Sequence, residues 1–304
     1  MISNIKTISI GIIGNGFVGQ ATNLFKCNNV EVYIYDVDPL KCNPIGTTLH
    51  DLCKCNFIFI CVPTPMNVDG SCYTGIVETC INNILAIQTD QDENDKSFII
   101  VRSTVPPGTC KKLNVHHMPE FLTEKNWQQD FYETEKWIIG VNCNNNGDDN
   151  NNNNTKFQDE IKVLFGYAKD ANRIGHNNVT FVNSIESETI KYTRNSFLAV
   201  KISFCNEVYQ MCQKLGISYD VIRDNFPDYR ITKYHTQVPG YDGHFGYGGT
   251  CLPKDTNAFS VEMRKLGIEP LLLEASVQRN TKIDRPEQDW NQDKGRAVVE
   301  TKNI

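Results

Sequence analysis

One cysteine in this chain has neighbours that could turn it into a nucleophile. Residues 240–255 read Gly-Tyr-Asp-Gly-His-Phe-Gly-Tyr-Gly-Gly-Thr-Cys-Leu-Pro-Lys-Asp, so five glycines crowd the approach to Cys251 and Pro253, Lys254 and Asp255 follow it. Glycine admits positive φ and close backbone approach, and a loop carrying Tyr241, Phe245, Gly246 and Gly248 can wrap a substrate with its own amides and carbonyls. An ammonium on Lys254 and a helix started by Pro253 both favour thiolate, the reactive form of the side chain. The chemistry on offer is attack of sulfur on an electrophilic carbon. A glycine-rich turn beside an inert buried thiol is the plainer alternative.

A second constellation lies at the other end of the chain. The apolar run Ile8 to Ile13 is followed at once by Gly14-Asn15-Gly16-Phe17-Val18-Gly19, then by a helical pattern from Gln20 to Lys26 and a strand pattern from Glu31 to Tyr35 that ends on Asp36. Strand, glycines, helix, strand and terminal carboxylate together form a dinucleotide-binding signature. Gly14 serves the tight turn, Gly16 lets the backbone approach a pyrophosphate, and Gly19 allows helix and strand to close. Asp36 would accept from the adenosine ribose hydroxyls and repel a 2′-phosphate, which predicts NAD over NADP.

These groups need elements to position them. Phe57 to Val62 reads as a buried strand stopped by Pro63-Thr64-Pro65, and Ser97 to Val101 as another, running into Arg102-Ser103-Thr104-Val105-Pro106. Ligands of an open α/β sheet lie beyond the carboxyl ends of its strands, which places Thr64 and Thr104 against cofactor or substrate; capping of the following helices is the competing role. Glu120 and Glu124 stand four apart after Pro119, on one face if the segment turns helical. Lys191 and Asn195 share that spacing within a long helix, Ile185 to Leu215, closed by Gly216. A helical lysine is ordinarily solvated.

The pattern predicts an α/β fold, a Rossmann-like doubly wound parallel sheet over residues 1–183, followed by a mainly helical domain over 184–283 and a polar tail, 284–304. Within the first domain, helix is expected at 156–167 and strand at 178–182, while the Asn-rich stretch 142–154 predicts a mobile insertion that buries nothing. The chain has 304 residues, 40% hydrophobic and 22% charged, with a formal net charge of −6, which gives no footprint for nucleic acid or an anionic membrane. The apolar N-terminus has no basic leader and no run of membrane-spanning length occurs, so a cytoplasmic location is expected. Twelve cysteines without a CxxC argue for reduced thiols and against structural zinc, and His116 and His117 lack a partner at metal-ligand spacing, so no metal is expected.

Taken in order over about residues 8 to 280, the glycine turn with Asp36 and Lys41, Val62-Pro63-Thr64-Pro65, Ser103-Thr104-Val105-Pro106, Pro119-Glu120-Phe121-Leu122-Thr123-Glu124, Lys191-Tyr192-Thr193-Arg194-Asn195 and the Cys251 loop resemble the UDP-glucose/GDP-mannose dehydrogenase family. The resemblance implies oxidation of a nucleotide-sugar alcohol at C6, of UDP-glucose first, to a carboxylate with two NAD. It implies catalytic roles for Cys251, Lys191, Asn195, Asp255, Glu120 and Thr104. NAD contacts would come from Gly14 to Gly19 (Phe17 and Val18 included), Asp36, Lys41, Thr64, Thr104 and Glu124. Substrate contacts would come from Glu120, Phe121, Leu122, Lys191, Asn195, Arg230, Tyr241, Phe245, Gly246, Gly248 and Lys254, in a homodimer or larger homo-oligomer. GDP-mannose or a UDP-N-acetylhexosamine is the alternative substrate, and a silent NAD-binding remnant the alternative function. The family's second α/β domain is expected to have no counterpart here, since the match dissolves after Asn280.

Overall fold

The computed structural model of the protein describes residues 7–67, 71–89, 91–92, 95–142, 149–226, 239, 242–249, 252–253, 256–257, 263–264 and 266–292. The chain divides by its contacts into a unit of residues 1–194 and a unit of residues 195–304. The division falls inside one helix, eleven residues beyond the limit expected from the pattern.

The first unit is built on a seven-stranded sheet in the order β2-β1-β3-β4-β5-β6-β7, formed by β1 (Ile8–Ile13), β2 (Val30–Tyr35), β3 (Phe57–Ile60), β4 (Phe98–Val101), β5 (His116–His117), β6 (Trp137–Val141) and β7 (Val179–Asn183). Every neighbouring pair is parallel except β5 with β6, which meet antiparallel at His117 and Gly140. Strand order reverses between β1 and β3, so the crevice for a ligand opens beyond the ends of those two strands.

The central strands are apolar except for Ser9 because both faces are covered, and strand alternation sorts their side chains into two cores. Ile10, Ile12, Phe57, Phe59, Phe98 and Ile100 face one core, closed by α1 (Phe17–Asn23), α5 (Trp127–Glu133) and α6 (Asp149–Asp170). Ile13, Ile58, Ile60, Ile99 and Val101 face the other, closed by α2 (Leu49–Leu52), α3 (Gly75–Ile87) and α4 (Thr109–Leu113). Each fully buried side chain contributes about 1.5–3 kcal/mol.

The Asn-rich stretch differs from expectation. From Asp149 it is already helical, as the first turns of α6. Asn142 is buried, its N–H donating to His116 Nδ1 at 3.3 Å and its side-chain amide to Asn114 Oδ1 at 2.5 Å. Its backbone carbonyl also accepts from Asn154 Nδ2 at 3.1 Å, so the backbone and the amide nitrogen find partners, which composition does not reveal. Residues 143–148 lie outside those described.

Helix α7 (Ser184–Leu215) begins with a reciprocal cap: Asn183 Oδ1 accepts from Glu186 N–H and Glu186 Oε2 accepts from Asn183 N–H. Its next turns bury polar residues at helical spacing, Ser184, Ser187, Glu188 and Lys191. Gly140 has no side chain because one would press on Ser187 and the Ser184 backbone. Glu188 reaches the start of α4, accepting from Gly108 N–H at 2.5 Å and Cys110 N–H at 2.7 Å. These are donors that a helix N-terminus leaves unpaired, and the carboxylate suits the positive end of the dipole.

In the second unit, α7 closes on Gly216 (φ +67°), α8 spans Tyr219–Asn225, and α9 (Leu271–Arg279) runs into a π-helical turn, Asn280–Asp284. The supposed polar tail is not one at its start: Arg285 and Trp290 are buried, Trp290 in a 3-10 turn, Asp289–Gln292. A charge can leave water when ion-paired, and Arg285 is. Residues 293–304 lie outside those described.

Glu188→Ala should lower stability by about 2–3 kcal/mol, because two buried N–H groups lose their acceptor, and Glu188→Gln, which keeps one acceptor oxygen, by less; urea denaturation checks both. Burial also holds His116 and His117 neutral, each pushed down to about 3. The unfolded chain takes up these protons below about pH 6.5, so stability is full above that pH and declines as it falls towards 3, by at most about 1.4 kcal/mol per pH unit per imidazole. His116→Phe, which keeps the stack on Phe157 (ring centroids 3.6 Å apart), should flatten that decline in denaturation curves taken between pH 7.5 and 5.

Candidate functional site

At the end of β1 the chain turns through Gly14 (φ +94°), whose N–H donates to Tyr35 O at 2.9 Å. A Cβ on Gly14 would collide with the Cys61 carbonyl beyond β3, and one on Gly19 with the Gly14 carbonyl, so both positions need glycine. Gly16 has a different reason. Nothing lies within 4 Å of a Cβ built there, and no side chain caps α1, which starts at Phe17 and Val18. Open space over uncapped helix N–H groups fits a pyrophosphate.

Asp36 sits at the end of β2 with its carboxylate fixed by the backbone, Oδ2 accepting from Asn15 N–H at 2.7 Å and Oδ1 from Asp38 N–H at 2.9 Å. The lone pairs left over are those a ribose diol would use. Asn15 also donates its side-chain amide to Lys41 O at 2.7 Å, tying the glycine turn to the segment after β2. Sequence reasoning passed over Asn15, although a polar residue between two turn glycines was the available signal. The Lys41 ammonium is exposed, 4.0 Å from Asp38.

The two loops that follow β3 and β4 are fastened together. Thr64 Oγ1 donates to Thr104 O at 2.8 Å and Ser103 Oγ to Val62 O at 2.6 Å. Neither threonine caps a helix: Thr74 and Gly108 precede α3 and α4. Thr104 is half-buried, and its hydroxyl has no partner among the described residues. Arg102, another residue the sequence reading passed over, is buried beside Cys61 and Glu120 with its guanidinium over the Phe131 ring at 5.9 Å. Burial lowers its pKa, opposed by the charge of Glu120, and its Nε and Nη1 have no partner among the described residues.

Glu120 and Glu124 do not share a helix face. The segment from Met118 to Thr123 has no regular secondary structure, a turn covers 124–126, and helix begins only at Trp127. Glu120 reaches Lys191 on α7, while Glu124 stays exposed. Lys191, expected on spacing alone to be solvated, is instead 5% exposed. Its Nζ donates to Glu120 Oε1 at 2.8 Å and to Glu120 O at 2.6 Å. Glu120 Oε2 accepts from Leu122 N–H at 2.8 Å, so the carboxylate is pinned. Phe121 lies under two cations, Lys191 Nζ at 5.5 Å and Arg194 Cζ at 4.2 Å from its ring centroid. An ammonium has three N–H donors, and two are used. Among the described residues the third N–H of Lys191 has no oxygen acceptor, which suits it to an oxygen that gains charge. Asn195, one turn further along α7, is exposed.

The glycine loop is described from Asp242 to Gly249. Gly243, Gly246 and Gly249 have φ of +79°, +66° and +71°, so the backbone uses the freedom the sequence suggested. Phe245 is exposed. Cys251, Lys254, Asp255, Arg230 and Tyr241 lie outside the described residues.

The family's central domain, by its model "UDP-glucose/GDP-mannose dehydrogenase family, central domain", matches residues 185–282, and its NAD binding domain matches residues 46–156. The chain belongs to the UDP-glucose/GDP-mannose dehydrogenase family. Residues 14–36 precede the matched ranges, and there the glycine geometry and Asp36 carry the cofactor reading. The UDP-glucose 6-dehydrogenases of Rickettsia bellii and Haloferax volcanii are each 29% identical, over 73% of this chain and 48% and 51% of their own lengths. The chain thus spans about half the length of the curated relatives it matches. Among solved structures, a GDP-mannose dehydrogenase of Pseudomonas aeruginosa shares the fold with a TM-score of 0.74 at 23% identity, covering 90% of this chain and 68% of that one. A UDP-glucose dehydrogenase of Pyrobaculum islandicum gives 0.59 at 25%, covering 92% and 69%.

NAD is the cofactor of the family's first domain, and the open Gly16 space and the oriented Asp36 fit it. Asp36→Ala should weaken NAD binding by about 1–3 kcal/mol, through ribose hydroxyls left without an acceptor and an unfastened glycine turn. Isothermal titration should show that loss; unchanged affinity would assign the ribose to other groups.

Proposed function

We propose that this protein oxidises UDP-glucose at C6 to UDP-glucuronate with two equivalents of NAD, through a covalent intermediate on Cys251. The observation that carries the reading is the buried Lys191–Glu120 pair, which sets an ammonium against the segment after β5 with one N–H that has no oxygen acceptor among the described residues. NAD supplies the hydride acceptor for each of the two oxidations.

The residues divide the remaining work. In the first oxidation the C6 alcohol loses its hydroxyl proton to water held by Asp255, while Lys191 and Asn195 donate to the forming aldehyde oxygen. Cys251 thiolate then adds to the aldehyde carbon: the C–S bond forms, and Lys191 stabilises the resulting oxyanion. After the second oxidation the thioester carbon takes up a water that Glu120 and Asp255 activate, the C–S bond breaks, and the acid leaves as thiolate is restored. Thr104, whose hydroxyl has no partner among the described residues, would help hold that water, and Lys254 would favour thiolate.

Tyr241, Phe245, Gly246, Gly248 and Arg230 are proposed to hold the sugar and diphosphate, with Lys41, Thr64 and Glu124 on the NAD side. A homo-oligomer in the cytoplasm is the proposed setting; the free thiols of the described cysteines suit a reducing compartment.

Cys251→Ala should bind NAD as the unaltered chain does yet form essentially no sugar acid from UDP-glucose, as read by chromatography, whereas Lys191→Ala should slow oxidation of both the alcohol and the aldehyde by about 10²-fold or more. Acid formed at an undiminished rate without Cys251 would remove the covalent route. A chain that instead reduces NAD with GDP-mannose or a UDP-N-acetylhexosamine would keep the chemistry and change the substrate.

A further inference from the structure

Two glycines of the loop before Cys251 are glycine for a reason that lies within the chain itself. A Cβ on Gly246 would overlap the Asn280 side chain, and one on Gly248 would overlap the Arg285 guanidinium. Asn280, at the start of the π-helical turn, is 2% exposed and pairs with the loop as a neighbouring strand would: its Oδ1 accepts from Tyr247 N–H and its Nδ2 donates to Tyr247 O, both at 2.8 Å. Both polar groups of one loop peptide position are thereby satisfied by a single amide.

Arg285, 3% exposed, makes the second attachment. Its Nε and Nη2 donate to the two oxygens of Asp289, each at 2.7 Å, and its Nη1 donates to Asp242 Oδ2 at 2.8 Å. Asp242 Oδ1 in turn accepts from His244 N–H at 3.1 Å, closing the first turn of the loop. A planar guanidinium can serve two carboxylates in fixed directions at once, which an ammonium cannot. Arg285 lies beyond the residues matched by the central-domain model, which end at 282.

We propose that Asn280 and Arg285 are positioning residues for the thiol chemistry: together they hold Asp242–Gly249 in one conformation from behind, and so set the environment of Cys251, which follows Gly249 by two residues. The proposal rests on the reading of Cys251 as the nucleophile. It gives the loop glycines two separate uses, positive φ at Gly243, Gly246 and Gly249 and close packing on segment 280–285 at Gly246 and Gly248.

The test uses the full 304-residue chain and the variants Asn280→Asp, Arg285→Ala, Arg285→Lys and Asp242→Asn. Asn280→Asp keeps the acceptor for Tyr247 N–H but sets a carboxylate oxygen against Tyr247 O. Hydrogen exchange at the Tyr247 amide should speed up by about tenfold or more in Asn280→Asp and Arg285→Ala, because the loop keeps fewer favourable bonds to segment 280–289 and opens locally more often. Iodoacetamide labelling of Cys251, followed by mass spectrometry with Cys27 as internal reference, should show a pH midpoint moved up towards the ordinary thiol value of about 8.5. kcat with UDP-glucose should fall by about tenfold with NAD affinity unchanged, Arg285→Lys restoring only part. Asp242, whose side chain is 40% exposed, tolerates replacement, so Asp242→Asn reads the same quantities if Arg285→Ala does not fold. Unchanged Tyr247 exchange and an unchanged Cys251 labelling profile in folded variants would overturn the proposal. If the unaltered chain forms no sugar acid, the proposed function fails while the exchange and labelling measurements still decide this one.

Discussion

The first three turns of α7 hold the first unit's site together through two charges placed one turn apart. Glu188 occupies the N-terminus of α4, and Lys191 occupies Glu120, so the loop after β4 and the segment after β5 are both referred to one rigid element. Burying charge is costly unless every lone pair and proton is met. Here Glu188 meets two backbone N–H groups, and Lys191 meets a carboxylate, a carbonyl and an aromatic face. Two of the three ammonium protons have oxygen acceptors among the described residues, which leaves the third to the ring face or to a ligand oxygen.

Behind that edge the sheet supplies rigidity of an ordinary kind. Strand alternation sends aromatic side chains mainly to one core and aliphatic ones to the other, and the two loops that carry Thr64 and Thr104 leave the sheet already bonded to each other. The cofactor turn is anchored by the same economy of parts: Asn15 binds Asp36 with its backbone and the Lys41 carbonyl with its side chain. Three cysteines flanking β3 contrast with the nucleophile proposed at Cys251. Burial pushes Cys53 and Cys61 up to about 11 and Cys55 up to about 12, so they serve as small apolar packing groups, inert as nucleophiles.

The sequence carried a good deal of this in legible form. The predominantly apolar runs Ile8–Ile13 and Phe57–Ile60 read as strands covered on both sides, and Gly14, Gly16 and Gly19 announced the dinucleotide turn through spacing that backbone sterics demand. Where the reading went astray, a side chain's partner lay far along the chain. Glu120 and Glu124 looked like a helical pair, Lys191 like a solvated lysine, Asn142 like part of a disordered tract and Arg285 like part of a tail. In each case a residue 26 to 71 positions away supplies the missing bond.

What the sequence alone determined is therefore local and periodic: strand and helix types, the glycine turn, the positive-φ glycines before Cys251 and the carboxylate ending β2. Such features depend on φ/ψ preferences and on side-chain spacing, which neighbours in the chain fix among themselves. Only the tertiary structure decided which charges are buried. Spacing places Lys191 on a helix face but does not say what that face meets, and desolvation turns on that meeting alone. The same holds for Gly248, whose missing side chain reads as loop flexibility until the Arg285 guanidinium is found in its place.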